Sequence, residues 1–270
     1  MRVLAAVLVW TECLFLLPAE GAAEDKVTEV RGEILEKAVL TVVYDNVVYD
    51  SNYASAHGFA CAVRVSGPEG SRALLFDTGG DFQTLSYNLR FSGWEISEFE
   101  ALVISHCHYD HTGGLEGVVQ QNPRLPVYLP GTGMHGHTAA GHSLENAHES
   151  GRDPERIFPG VWSTGVLQGS VDEQSLVILT EKGVVLITGC AHPGIVRIVK
   201  TVQERFGREI YLVMGGFHRP PRSAAVELRR LGVQHAAPSH CTGAAATSAL
   251  REAFGDYFIK SGVGRTVTVE

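Results

Sequence analysis

The sequence predicts a layered α/β protein, with sheets inside and helices outside. Two observations predict it. Beyond residue 37 the apolar runs are short, β-rich and bounded by Gly, Pro and Asp, as strands are. The early runs follow one another as hairpins, and the later ones alternate with helical stretches, the mixture from which layered α/β folds are built. At 270 residues and 44% hydrophobic content the chain can bury a sizeable core, so one domain over residues 24–270 is the simplest organisation.

In chain order, strands are predicted at Val39–Tyr44, Phe59–Ser66, Ala73–Asp77, Ala101–Ser105 and Val127–Leu129. Four more follow at Ser175–Thr180, Val184–Thr188, Ile210–Met214 and Thr266–Val269. "LTEKG", Leu179 to Gly183, supplies a hairpin turn. Helices are predicted at Gly114–Gln121, Ile195–Phe206, Ala224–Leu231 and Ala244–Phe254. In the second of these Ile195, Ile198, Val199, Val202 and Phe206 recur at three- and four-residue spacing, and Gly207 stops the helix. The stretch 131–151 is polar, Gly-rich and holds four histidines, and is predicted as a loop or lid.

The first 23 residues differ from the rest. Arg2 precedes an apolar run from Val3 to Trp10, resumed from Cys13 to Leu17, and small residues stand at Gly21, Ala22 and Ala23. This is the pattern of a signal peptide, so an exported, periplasmic or secreted protein is expected. A membrane anchor or a wrongly assigned start, which would leave the chain in the cytoplasm, is the alternative. No other stretch approaches the roughly 18 apolar residues of a membrane span. With 22 Lys and Arg against 30 Asp and Glu, the chain lacks the basic surface that nucleic acid requires. A small-molecule substrate is the expected partner.

The chemistry concentrates in "SHCHYDHTGG", Ser105 to Gly114, where His106, His108, Asp110 and His111 fall within six residues. The predicted strand "ALVIS" delivers these groups to its C-terminal edge, where α/β folds place their chemistry. Imidazole nitrogens and carboxylate oxygens suit zinc. In extended backbone, residues i and i+2 point the same way, so His106 and His108 can clasp one ion, and Asp110 and His111 can turn to a second. A helix-capping duty for Asp110 alone would need none of the histidines.

Three later strand ends offer the remaining ligands. "VLITGCAHPG" carries Cys190 and His192, "LVMGGFH" carries His218, and "HAAPSHCTG" carries His240 and Cys241. Three of the four cysteines beyond the leader neighbour histidines, in "HCH", "GCAH" and "SHC", which suggests thiols close to a metal. A Cys107–Cys241 disulfide is the competing use of these thiols. His57 and His235 lack such context and are expected to be ordinary structural histidines.

"FDTGG" (76–80) and "SHCHYDHTGG" (105–114) resemble the metallo-β-lactamase superfamily. "TGCAHPG" (188–194), "GGFH" (215–218) and "SHCTG" (239–243) are similar to one branch of it, the archaeal 7,8-dihydropterin-6-yl-methyl-4-(β-D-ribofuranosyl)aminobenzene 5′-phosphate synthases. The resemblance spans about residues 39–269. It implies a four-layer αββα sandwich of two mixed sheets with a metal pair at one edge. By position, His106 and His108 would bind the first metal and Asp110, His111 and His240 the second. "STGVLQG" (163–169) stands where the superfamily's usual third histidine should be, which makes His192 its substitute. Cys190 stands where the bridging Asp is usual, as ligand or as lining. Asp77 is expected to support the metal loop, and His218 to contact substrate, move a proton or act beyond the ligands.

Function follows as expectation. A dinuclear zinc centre, with iron or manganese as alternatives, would serve a hydrolase of a phosphoester or related ester or amide bond. Asp110 would orient water and accept a proton, and His218 would protonate the leaving group. A synthase that activates a diphosphate leaving group is the second expectation, and a non-catalytic metal-binding protein the third.

Overall fold

The computed structural model describes residues 33–131, 144 and 146–270. Residues 1–23, where a signal peptide was expected, and most of the histidine-rich stretch lie outside the described residues. Two sheets face each other. The first runs in the order β13 (Thr266–Val269), β1 (Lys37–Asp45), β2 (Phe59–Gly67), β3 (Gly70–Phe76), β4 (Ala101–Val103), β5 (Val127–Pro130) and β6 (Ala147–Ser150). The second runs β12 (His235–Ser239), β11 (Ile210–Gly216), β10 (Gly183–Thr188), β9 (Leu176–Thr180), β8 (Val161–Ser163) and β7 (Glu155–Phe158). The helices are α1 (Phe82–Phe91), α2 (Tyr109–Thr112), α3 (Leu115–Gln121), α4 (Ile195–Phe206), α5 (Ser223–Arg230) and α6 (Ala244–Phe254).

Strand periodicity explains the layers. In β3, Leu74 and Phe76 enter the core between the sheets, while Leu75 faces Leu85 and Leu89 of α1 and Leu115 and Val118 of α3. In β10, Val185 and Ile187 face the inter-sheet core, while Val184 and Leu186 pack against Ile198, Val199 and Val202 of α4. Alternate residues therefore serve two apolar interfaces per sheet, as a period of two requires. The result is the predicted αββα sandwich.

Both sheets are mixed, and their parallel parts aim at one edge. β3, β4 and β5 are parallel, as are β10, β11 and β12. The segments that follow β3, β4, β10, β11 and β12 hold Asp77, the 105–111 loop, Cys190 and His192, His218, and His240. One glycine contact fixes the first of these loops against its neighbour. Gly113 donates its N–H to Gly79, and a Cβ on Gly113 would stand 2.1 Å from the Gly80 carbonyl oxygen.

The structure adds to the predicted elements. Within 131–151 the described part ends in strand β6, which pairs with β5, so that part is sheet and not lid. Strands β7 and β8 and helices α1 and α2 were not predicted, and β12 was anticipated only as the run that ends at His240. No helix among the described residues is long and apolar enough to cross a membrane.

Candidate metal centre

Among the described residues, every non-glycine residue with positive φ lies at this edge: Asp77, Ala191, His218, Arg219 and His240. Left-handed backbone disfavours side chains and persists where surrounding contacts over-determine it, often at functional sites. The first contact set is His106, His108 and His192, whose ligand atoms lie within 4.8 Å of one another. His106 Nε2 and His108 Nδ1 are 3.1 Å apart. Two nitrogens on one tetrahedral zinc, each at about 2.0 Å, would be about 3.3 Å apart. The extended backbone at His108, φ −64° and ψ 144°, is what lets the i, i+2 pair meet.

The second set surrounds one carboxylate oxygen. Asp110 Oδ2 lies 3.7 Å from His111 Nε2, 3.4 Å from His240 Nε2 and 3.2 Å from His57 Nε2. Cys190 Sγ lies 3.3 Å from His111 Nε2 and joins the two sets. His57, expected to be an ordinary structural histidine, stands at the site across from Asp110. His235 does pack structurally, against Tyr211 and Tyr257.

The outer ring nitrogens are held from behind. His111 Nδ1 donates to Asp77 Oδ2 at 2.7 Å, His240 Nδ1 to Asn46 Oδ1 at 2.7 Å, and His106 Nδ1 to Ser105 Oγ at 2.9 Å. Each inner nitrogen then turns a lone pair to the centre, the arrangement by which outer partners orient metal-binding imidazoles. The Nε2 atoms of His192 and His240 are buried and have no hydrogen-bond partner. Burying acceptors with nothing to accept from is costly, and a cation among them removes that cost. The residues fit a metal ion.

Two buried acids place these loops. Glu173 accepts the backbone N–H groups of Cys190, Ala191 and His192 at 2.9, 2.9 and 2.7 Å. Asp45 accepts the N–H of His240 at 3.2 Å. The sequence did not reveal either: Glu173 reads as a turn acid before β9, and Asp45 as a strand end. Beside Glu173, Gln174 donates to the carbonyls of Ile104 and Tyr128, tying the metal loop's strand to the other sheet.

Charge follows from this packing. Burial, then the neighbouring His111, holds the His106 ring far below the ordinary imidazole value. Burial, then His218, pushes His192 down to about 4. For His111, burial lowers the value but Asp77, Asp110 and Glu173 raise it more. Burial would raise Asp110, yet the imidazoles of His240 and His111 hold it well below the carboxylate range. At neutral pH His106 and His192 are therefore neutral imidazoles, which is the form that ligates.

The remaining predicted residues are also accounted for. His218 is exposed at the rim and its ring lies tilted against that of His192, with centroids 4.3 Å apart. All four described cysteines are free thiols, and Cys241 Sγ turns to the carbonyl of Cys190, so the Cys107–Cys241 disulfide is absent. A cavity of about 760 Å³ opens over both sets, lined among others by His57, Tyr109, Asp110, His192 and Arg219.

A sandwich of this topology with a histidine-rich edge defines a class, and the comparisons agree with it. Residues 63–232 match the sequence model of the metallo-beta-lactamase superfamily, and the chain belongs to that superfamily. It is 27% identical over 287 aligned residues to 7,8-dihydropterin-6-methyl-4-(beta-D-ribofuranosyl)-aminobenzene-5'-phosphate synthase of Methanocaldococcus jannaschii, covering 87% of this chain and 98% of the relative. Uncharacterized protein MJ0448 of the same organism is 25% identical, with 86% and 100% covered. Among solved structures, Tm1679, described as a metal-dependent hydrolase of the beta-lactamase superfamily, superposes with a TM-score of 0.69 at 24% identity over 85% of this chain and 98% of its own. The resemblance drawn from the motifs, to the superfamily and to this branch, is borne out.

Two outcomes are expected. His192→Ala should weaken zinc at the first set as severely as His108→Ala, and by more than the roughly 10–100-fold that loss of an outer partner costs, in competition with a chromogenic chelator. Unchanged affinity would remove His192 from the ligand set. In the metal-free protein, a nuclear magnetic resonance titration should find the His192 ring neutral until about pH 4. A midpoint near the ordinary value of about 6.5 would show a solvated ring.

Proposed function

We propose that this protein is a zinc-dependent hydrolase of a phosphoester or a related ester or amide bond. The observation that carries it is the Asp110 carboxylate, ringed by His57, His111 and His240 and opening onto the cavity. His106, His108 and His192 would hold one ion, and Asp110, His111 and His240 a second, with Cys190 between them. Metal ions in these positions lower the pKa of coordinated water toward about 7 and polarise a carbonyl or phosphoryl oxygen.

The chain's own groups do the rest. Asp110 lines the cavity as a low-pKa carboxylate; with Oδ2 as the ligand, its other oxygen would orient the attacking water through a hydrogen bond. His57, whose side chain is 62% exposed, touches Oδ2 and can carry a proton between the site and solvent. The expectation for His218 was protonation of the leaving group. It stands instead within 4.8 Å of two thiols, which leaves His57 the better placed imidazole for proton traffic. Arg219 reaches the cavity with no carboxylate partner among the described residues, and would attract an anionic substrate arm.

The synthase relative supports a second reading, in which the same centre draws off a diphosphate leaving group and an aromatic amine replaces water. The test is a screen of phosphomonoesters, phosphodiesters, lactones and β-lactams. At least one should be hydrolysed, a chelator should stop it, and zinc should restore it. Asp110→Asn should lower kcat by about 10²–10⁴-fold, the usual span for losing a proton-transfer group. Turnover confined to a diphosphate-bearing substrate with an aromatic amine would overturn the hydrolase reading in favour of the synthase.

A further inference from the structure

Beside the two sets described above stands a third. Cys190, His218 and Cys241 follow β10, β11 and β12, three neighbouring parallel strands, and their ligand atoms lie within 4.8 Å of one another. We propose that these three residues form a third cation seat at this edge, a thiolate-rich one that takes a soft divalent metal such as zinc. The proposal rests on the reading of this edge as a metal centre, and adds to it a site with different donors.

The geometry is built for proximity. Cys190 and Cys241 belong to loops on either side of β11, so their sulfurs must meet across the end of that strand. Gly216 makes this possible. A Cβ there would stand 2.7 Å from Cys241 Sγ, so the sulfur occupies the space that any side chain would fill. Two zinc–sulfur bonds of about 2.3 Å at a tetrahedral angle place their sulfurs about 3.8 Å apart, within the observed spread.

His218 is aimed by the same cysteine. Its N–H donates to Cys241 Sγ at 3.2 Å, and the next N–H, of Arg219, donates to the Cys241 carbonyl at 3.2 Å. These bonds hold His218 and Arg219 in successive left-handed conformations, φ 50° and 48°, which bend the chain back over the edge. A surface loop with no duty would relax from such backbone.

The donor set selects its ion. Two thiolates and an imidazole suit zinc and reject hard cations such as magnesium, which prefer oxygen. Binding expels the two thiol protons to solvent. All three residues line the cavity, so an ion held by them would be open to solvent or substrate. Cys190 Sγ, 3.3 Å from His111 Nε2, can bridge this seat to its neighbour.

Cobalt(II) loading of the full chain tests the proposal, because thiolate-bound cobalt absorbs strongly in the near ultraviolet and cobalt bound only by nitrogen and oxygen does not. The wild type should bind three equivalents and show that band. Cys241→Ser should lose one equivalent and most of the band, and so should His218→Ala, whose exposed side chain supports no core packing. His106→Ala should keep the band while emptying the first set. Two equivalents with no response to Cys241→Ser or His218→Ala would overturn the third seat and leave the hydrolase reading standing. A Cys190–Cys241 disulfide in the loaded protein would also overturn it. No cobalt bound at all would overturn both.

Discussion

The buried carboxylate of Asp77 is the constraint around which the metal edge is arranged. It lies at the end of β3 and accepts three bonds at 2.7 Å: from the N–H and the hydroxyl of Ser105, and from His111 Nδ1. The charge has no access to water, so it depends on those donors. Removing it would strand three buried donors, each at a cost of about 1–3 kcal/mol. Through this one group the loop that carries His106, His108, Asp110 and His111 is fixed to the neighbouring strand. The imidazole of His111 is also locked in the tautomer that turns Nε2 inward.

The same logic repeats around the edge with other partners. Glu173 gathers three N–H groups and so fixes Cys190 and His192, and Asp45 with Asn46 fixes His240. Glu173 and Asp45 sit behind the imidazoles and thiols, while Asn46 also lines the cavity. They explain how left-handed backbone survives at Asp77, Ala191 and His240, because each strained residue is held by several bonds. The sandwich supplies rigid strands, and the buried acids convert strand ends into a site with fixed lone pairs. Inner nitrogens without partners at His192 and His240 are the consequence.

Much of this was legible in the sequence, for physical reasons. α4 carries its apolar residues at helical spacing and ends at Gly207, so its bounds were predicted as found. The ligand-bearing strand ends were legible because apolar runs stop abruptly at His, Cys and Gly. α1 was missed because only Leu85, Asn88 and Leu89 of its ten residues are buried, too narrow a stripe to recognise. β12, "HAAPS", was read only as a strand end before His240 and not bounded as a strand, because small residues and a proline make a weak strand pattern; as the edge strand of its sheet it can tolerate Pro238. His57 and Glu173 were missed for a different reason. Neither sits at the end of an apolar run, and only packing across the sheets brings each to the edge.

The account stands on the claim that these side chains converge on metal and not on one another. The most direct measurement is elemental analysis of the purified full chain, with the bound metal counted per protein. The arrangement predicts at least two equivalents of a transition metal, retained through gel filtration and regained on reconstitution after chelation. A chain that holds none and takes up none would contradict it.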